Sequence, residues 1–204
     1  MQLLTTPAGK AVYPYLQVPD TKFNDDGLYN VKLHVSEEDY NSFKEKIDEL
    51  FEDALKAERQ RQGKTKISMA SSSPLRITDE GDHEIYAKQE AKKMTKSKGL
   101  LQFSVAAFNA TGEKIKMPAV AGGSVLKLAV MPNFWFVPSQ GFGYTLRLRA
   151  VQIIDLIERD TAAVENIFAS VEGFDGGESF SEELENDAPQ ETEKTASKDD
   201  DFSF

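Results

Sequence analysis

The chain is predicted to be mainly β with one long helix, an α+β body that ends in an acidic tail. Three observations predict this. Short apolar runs with period-two alternation recur between Ala11 and Asp155, and one stretch after Ser36 has helical periodicity. From Gly173 onward apolar residues give way to Gly, Ser, Glu, Asp and Pro, too little hydrophobic surface to offset the entropy of ordering. The expected organisation is a body over residues 1–158, a short helical extension over 159–172 through Val164, Ile167, Phe168 and Val171, and a disordered acidic tail over 173–204.

Composition narrows the function classes. A chain of 204 residues with 40% hydrophobic content has room for one domain plus appendages. There are no cysteines, which excludes a disulfide scaffold, and with only His34 and His83 a zinc site is not expected. Met1 to Lys10 lacks a basic start followed by an apolar run, and no stretch approaches a membrane span. A cytoplasmic protein without a membrane partner is the expectation.

Taken in order, Ala11 to Val18 reads as a strand in which Tyr13 and Tyr15 share a face, and Pro14 between them suits an edge. Both tyrosines are candidates to stack on bases or simply to pack. After a turn-rich segment ending at Gly27, Tyr29, Val31, Leu33 and Val35 alternate with Asn30, Lys32 and His34, the pattern of a half-buried strand. Lys32 is a candidate phosphate contact. Ser36 is placed to cap a helix whose first turn carries Glu37, Glu38 and Asp39, where the helix dipole favours acids. Tyr40, Phe43, Ile47, Leu50, Phe51, Ala54 and Leu55 form its apolar stripe, which packs on the sheet or on another subunit.

Beyond the helix, Arg59 to Pro74 reads as a mobile connector bearing Arg59, Arg61, Lys64 and Lys66. Lys88, Lys92, Lys93, Lys96 and Lys98 then crowd a cationic loop, either a solvated excursion or a flap over a bound strand. Leu101, Phe103, Val105 and Ala107 alternate as one further strand, with Phe108 near its outer end. Ala121-Gly122-Gly123-Ser124 lacks the lysine and spacing of a phosphate-binding loop and reads as a glycine-permitted bend.

The most informative stretch runs from Lys127 to Arg149. Leu126, Leu128, Val130, Phe134 and Phe136 fall on one face of a first arm, and Lys127, Asn133 and Trp135 on the other. In the second arm Tyr144, Leu146 and Leu148 oppose Arg147 and Arg149, with Pro138-Ser139-Gln140-Gly141 between the arms. If both apolar faces enter one core, Lys127, Trp135, Arg147 and Arg149 emerge together. Cations around an exposed aromatic are what a single-stranded nucleic acid requires, charge for phosphates and a flat ring for an unstacked base. The competing readings are a Trp135 buried with Phe134 and Phe136, and a bulge at Pro132 that swaps the faces beyond it.

Charge distribution supports the nucleic-acid reading despite a net charge of −10. Residues 1–160 hold 22 Lys and Arg against 21 Asp and Glu, whereas 161–204 hold 2 against 13. Within the body, residues 37–58 carry 9 acids and 3 bases, so a basic β-rich remainder is joined to an acidic helix and an acidic tail. No nucleophile–histidine arrangement is recognisable, and carboxylates that might hold magnesium are abundant only in the helix and tail. A non-enzymatic binder without cofactor is therefore expected. The tail closes on Asp199-Asp200-Asp201-Phe202-Ser203-Phe204, acids finished by two aromatics, a short anchor for a protein partner.

This combination resembles the phage single-stranded DNA-binding proteins of the T-odd podophage type. The likeness is carried by Tyr13-Pro14-Tyr15, by Tyr29-Asn30-Val31-Lys32-Leu33 with the helix that follows at once, and by Val120 to Lys127. It continues through Pro132 and Trp135 to a closing strand that ends near Asp155. The resemblance implies an OB-fold-like five-stranded antiparallel barrel with an inserted amphipathic helix, and sequence-independent binding of single strands in replication and recombination. It further implies a homodimer, and a tail that competes with DNA and recruits DNA polymerase and helicase or primase. Trp135 is then a base-stacking residue and Phe204 a partner contact. The DNA-binding candidates are Trp135, Lys127, Arg147, Arg149, Lys32, Tyr13, Tyr15, Phe108, Lys92 and Lys93. Those for the protein partner are Asp199, Asp200, Asp201, Phe202 and Phe204. The alternative class is an acidic adaptor or chaperone-like module that never touches nucleic acid, for which a basic body has no use.

Overall fold

The computed structural model describes residues 2–22, 24–95 and 99–158. The chain divides into two units, Met1–Thr161 and Ala162–Phe204. The expected helical extension and acidic tail, with Asp199 to Asp201, Phe202 and Phe204, lie outside the described residues.

In chain order the elements are β1 (Leu4–Thr5), β2 (Gly9–Asp20), β3 (Leu28–Val35), α1 (Glu37–Gln62), β4 (Leu75–Ile77), β5 (His83–Glu90), β6 (Lys92–Thr95), β7 (Gly99–Gln102), β8 (Ala106–Phe108), β9 (Lys114–Ile115), β10 (Val125–Val137) and β11 (Gly141–Asp155). Five of them make a ring: β2 pairs with β3, β3 with β5, β5 with β11, β11 with β10, and β10 returns to β2. The return is short, Val125 opposite Lys10 and Leu126 opposite Gly9. The expected antiparallel arrangement is corrected at one place, because β11 runs parallel to both β5 and β8. The chain reverses tightly between β10 and β11, so the strand that meets β5 is the one travelling in the same direction. The ring interior is the core, filled by Val31, Leu33, Ile85, Leu126, Leu128, Leu146 and Leu148, each fully buried.

The helix follows β3 directly. Ser36 Oγ accepts the Asp39 N–H at 3.2 Å, and Gly63 closes the other end at φ 63°, a left-handed cap that favours glycine. The helix thus runs through Arg59 to Gln62, into the stretch read as connector. Nothing before Gly63 breaks it, and Glu58 pairs with Arg61 at 2.7 Å along its last turn. Tyr40, Phe43 and Ile47 pack on the ring, and Phe51 meets Phe142, Tyr144 and Phe134 with ring centroids 5.1, 5.6 and 6.1 Å away.

The strand expected from Leu101 to Ala107 is divided. Its first part, β7, pairs with β6 in a separate two-stranded hairpin, so of the expected cationic loop Lys88 belongs to β5 and Lys92 and Lys93 to that hairpin. Its second part, β8, joins the main sheet beside β11. The Phe103 N–H donates to the Ala91 carbonyl at 2.8 Å, which holds the chain at the foot of the hairpin where it passes from one sheet to the other.

Pro132 does not bulge β10. It stands in register opposite Leu146, and its side chain is buried in phase with Leu128 and Val130. Leu128 exchanges hydrogen bonds with Thr6 on the β1 side, so Pro132, four residues on, turns its missing N–H the same way, past the last β1 partner at Val130. The irregularities lie in β11, where Arg149 and Ile154 are the unpaired residues at the two shifts of register. The hairpin turn brings Val137 opposite Gly141, whose φ of 94° and close approach to the Ser68 carbonyl admit no side chain.

Candidate nucleic-acid interface

Alternation around the ring turns one set of side chains outward, and the pairing places them in rows. One row runs Tyr15, Asn30, Lys88, Arg147 and Met131 across β2, β3, β5, β11 and β10. The neighbouring row holds Val12, Lys32 and Tyr86. Where the first row crosses from β5 to β11 the surface is concave, a groove of about 390 Å³ lined by Lys88, Gln89, Lys93, Phe103, Asn133, Thr145, Arg147 and Arg149. Among the described residues, Lys88, Arg147 and Arg149 form no ion pair, while Lys93 Nζ lies 3.1 Å from Glu90 Oε2. A concave wall with uncompensated cations focuses positive potential. Alternation from Arg147 keeps Arg149 on the exposed side, and the bulge sets Ala150 there beside it.

The four residues expected to emerge together do so only in part. Arg147 and Arg149 share the groove. Lys127 and Trp135 are on the same outward face of β10 but eight residues apart, roughly 27 Å at strand rise. Lys127 lies opposite Gln152, beside which stand Phe108 and then Lys114, a second cationic and aromatic row. Trp135 is half-buried at the hairpin tip. Its indole lies against Gly143, and it borders a cleft shared with Phe136, Ala57 and Arg61 of the helix end. It is therefore neither a core residue nor a freely projecting ring.

Lys32 is not a free cation. Its Nζ lies 3.3 Å from Oε2 of Glu84, a carboxylate only 2% exposed that also takes Arg76 Nε at 2.6 Å. His34 Nε2 reaches the same carboxylate at 3.7 Å, and its Nδ1 lies 3.3 Å from Asp82. Tyr86 sits in this row, and burial pushes its hydroxyl above the usual tyrosine range, with Asp20 adding to the effect. Tyr13 is 73% exposed at φ 47°, where β2 slips register between Val12 and Tyr15. That backbone is strained for a bulky residue and projects the ring away from the sheet. Lys92 is exposed on the β6–β7 hairpin opposite Gln102, on the face away from Lys93.

Sequence reasoning gave no role to Phe103, to Asn133, which it set on the outward face, or to the Glu84 network, and placed Lys88 in a loop. A signal for Lys88 was present, since Ile85 and Ala87 alternate with Tyr86 and Lys88 as in any half-buried strand. Phe103 carried no such signal, because its position depends on the break between β7 and β8. Among the described residues no cluster of His, Asp and Glu is arranged to hold a metal ion, and no helix is long and apolar enough to cross a membrane.

A ring of strands with one long helix inserted after the second of them is a fold shared with single-stranded DNA-binding proteins encoded by bacteriophages. The crystal structure of gp2.5, a single-stranded DNA binding protein encoded by bacteriophage T7, superimposes with a TM-score of 0.66 at 22% identity, over 81% of this chain and 98% of that one. The single-stranded DNA-binding protein from bacteriophage Enc34, solved in complex with single-stranded DNA, gives 0.55 at 14% identity, over 78% and 89%. Its C-terminal truncation gives 0.53 at 14% identity, over 76% and 87%. No protein-family model and no curated protein matches the chain.

Proposed function

We propose that this protein binds single-stranded DNA without sequence preference in phage replication and recombination, and that it does so without catalysis. The observation that carries the reading is the groove between β5 and β11, where Lys88, Arg147 and Arg149, which form no ion pair among the described residues, stand around Phe103. Cations track the phosphates there and the ring offers a face to a base, a combination that tolerates any sequence. Structural neighbours that share the fold are described as single-stranded DNA-binding proteins, which supports the same reading.

On this reading Arg147, Arg149, Lys88 and Lys93 are the principal phosphate contacts. Lys127 with Phe108 extends the track at one end, and Trp135 supplies a stacking surface at the other. Tyr13 and Tyr15 border the face from β2, and Lys92 adds charge from the hairpin. Lys32 contributes less, because Glu84 already shares its charge. The acidic segment after residue 160 competes for the cationic face, and Phe202 and Phe204 with Asp199 to Asp201 recruit DNA polymerase and helicase or primase. Self-association as a dimer belongs to the same reading.

The test is titration with oligo(dT) across a salt series, followed through Trp135, the single tryptophan of the chain. Quenched emission and an affinity that falls with salt are expected. Failure of the protein to be retained on single-stranded DNA at low salt would instead favour an acidic adaptor.

A further inference from the structure

The outward rows beside the groove continue across the sheet into a cluster of charges around one histidine. Past Val12, Lys32 and Tyr86 comes a further row, Lys10, His34, Glu84 and Arg76 on β2, β3, β5 and β4. His34 presents Nδ1 to Asp82 Oδ2 at 3.3 Å and Nε2 to Glu84 Oε2 at 3.7 Å, so each ring nitrogen faces a carboxylate. Only an imidazolium carries a proton on both nitrogens; a neutral ring turns a lone pair toward one of the two acids. The Glu84 oxygen that faces His34 is also the one that Lys32 Nζ approaches at 3.3 Å, while Arg76 takes the other oxygen.

We propose that Lys32, His34 and Arg76 form a conditional phosphate site beside the groove, one that takes the DNA backbone when His34 is protonated; it rests on the single-strand reading above. With the ring neutral, Lys32 and Arg76 are balanced by Glu84 and Asp82, and these four groups offer a phosphate no net charge. A proton on His34 adds one positive charge, and the imidazolium shares the Glu84 oxygen that otherwise holds Lys32, which releases the ammonium toward a phosphate. Glu84 and Asp82 favour that proton, while Lys10 across from the ring on β2, Lys32 beside it on β3 and Arg76 on β4 oppose it. Among the side-chain types of this patch, an imidazole alone changes charge between about pH 5 and 8. A strand leaving Lys88 reaches the site by way of Tyr86 and Lys32, in the adjoining row. The other histidine, His83, lies against Tyr40 of the helix with ring centroids 5.0 Å apart, and serves as a control.

The experiment titrates oligo(dT), whose bases keep their charge across this range, into the full chain at about pH 5.5 and about pH 8 over a salt series. The unaltered protein and His83→Gln are expected to bind about two- to fivefold more tightly at the lower pH, the scale of one surface charge pair, with a salt slope steeper by about 0.7 for one added phosphate contact. His34→Gln should lose both differences. His34→Lys, a fixed charge at the same place, should bind at the higher pH as the unaltered protein does at the lower, and it gives the same reading if the glutamine variant does not fold. A response to pH that survives in His34→Gln, or is absent from the unaltered protein, would overturn the site while leaving single-strand binding intact. Failure of the unaltered protein to bind oligo(dT) at either pH would overturn both.

Discussion

The indole of Trp135 lies directly against Gly143, its partner across the β10–β11 pairing; a Cβ there would come within 2.8 Å of the ring and equally close to Ala70. One face of the ring is thus fixed by the protein, and what remains for a base is the part that borders the helix-end cleft. Gly143→Ala should displace the indole, shift its emission, and cost about 1–3 kcal/mol of stability as an overpacked site. Trp135→Ala should weaken single-strand binding by about 1–3 kcal/mol. Emission unchanged at saturating oligo(dT) would show that no base reaches the ring.

Lys88 and Arg147 are neighbours in the parallel pairing of β5 and β11, and both line the groove. Replacing either by alanine should weaken all homopolymers alike and reduce the salt slope by about 0.7 per lost phosphate contact. Affinity lost for one homopolymer alone, with the slope intact, would identify the side chain as a base reader.

Glu84→Gln should act on stability and binding in opposite directions. The buried carboxylate holds Arg76 and Lys32, but both cations reach water, so the loss should be about 1–3 kcal/mol, the scale of hydrogen bonds to a charged group. Lys32 and Arg76 are then free to attract phosphates, and single-strand affinity at low salt should rise. A thermal melt beside a salt titration separates the two effects.

Burial pushes the Tyr144 hydroxyl up to about 12, against an ordinary 10, with a contact to Ser73 opposing it. The folded-state value is raised, so below pH 10 both states keep the proton and pH has no effect through this group. Between pH 10 and 12 the unfolded chain ionises first and stability falls, by roughly 2–3 kcal/mol. Burial also raises Tyr40 and Tyr86, which act in the same direction. Alkaline unfolding of Tyr144→Phe should show a shallower decline than the unaltered protein; parallel curves would mean that Tyr144 titrates as an exposed phenol.

Truncation after Val171 removes most of the acidic segment and should tighten single-strand binding, most at low salt where screening is weakest. Deleting only Phe202 to Phe204 should leave DNA affinity nearly unchanged and abolish capture of polymerase or helicase. Equal affinities of the full and Val171-truncated chains across salt would end the competition model.

Much of the body was legible because its causes are local. The alternation of Leu126, Leu128 and Val130 against Lys127, and of Leu146 and Leu148 against Arg147, places the two arms of the hairpin as the structure has them. The helix start at Ser36 and its stripe of Tyr40, Phe43 and Ile47 follow from capping and a period of 3.6. The helix end was misplaced because polar composition at Arg59 to Gln62 resembles a connector, while helix propagation needs only that nothing interrupt it before Gly63.

By itself, then, the sequence determined which faces are apolar and where cations outnumber acids in the body, since each depends on residues near one another in the chain. Only the tertiary structure decided which cations meet. Lys88, Lys93 and Arg147 come from three strands, and the parallel placement of β11 on β5 brings them to one groove. It also decided that Lys32 is engaged by Glu84. Pairing between distant strands depends on a ring closing around a shared core, and no local period encodes the register in which it closes.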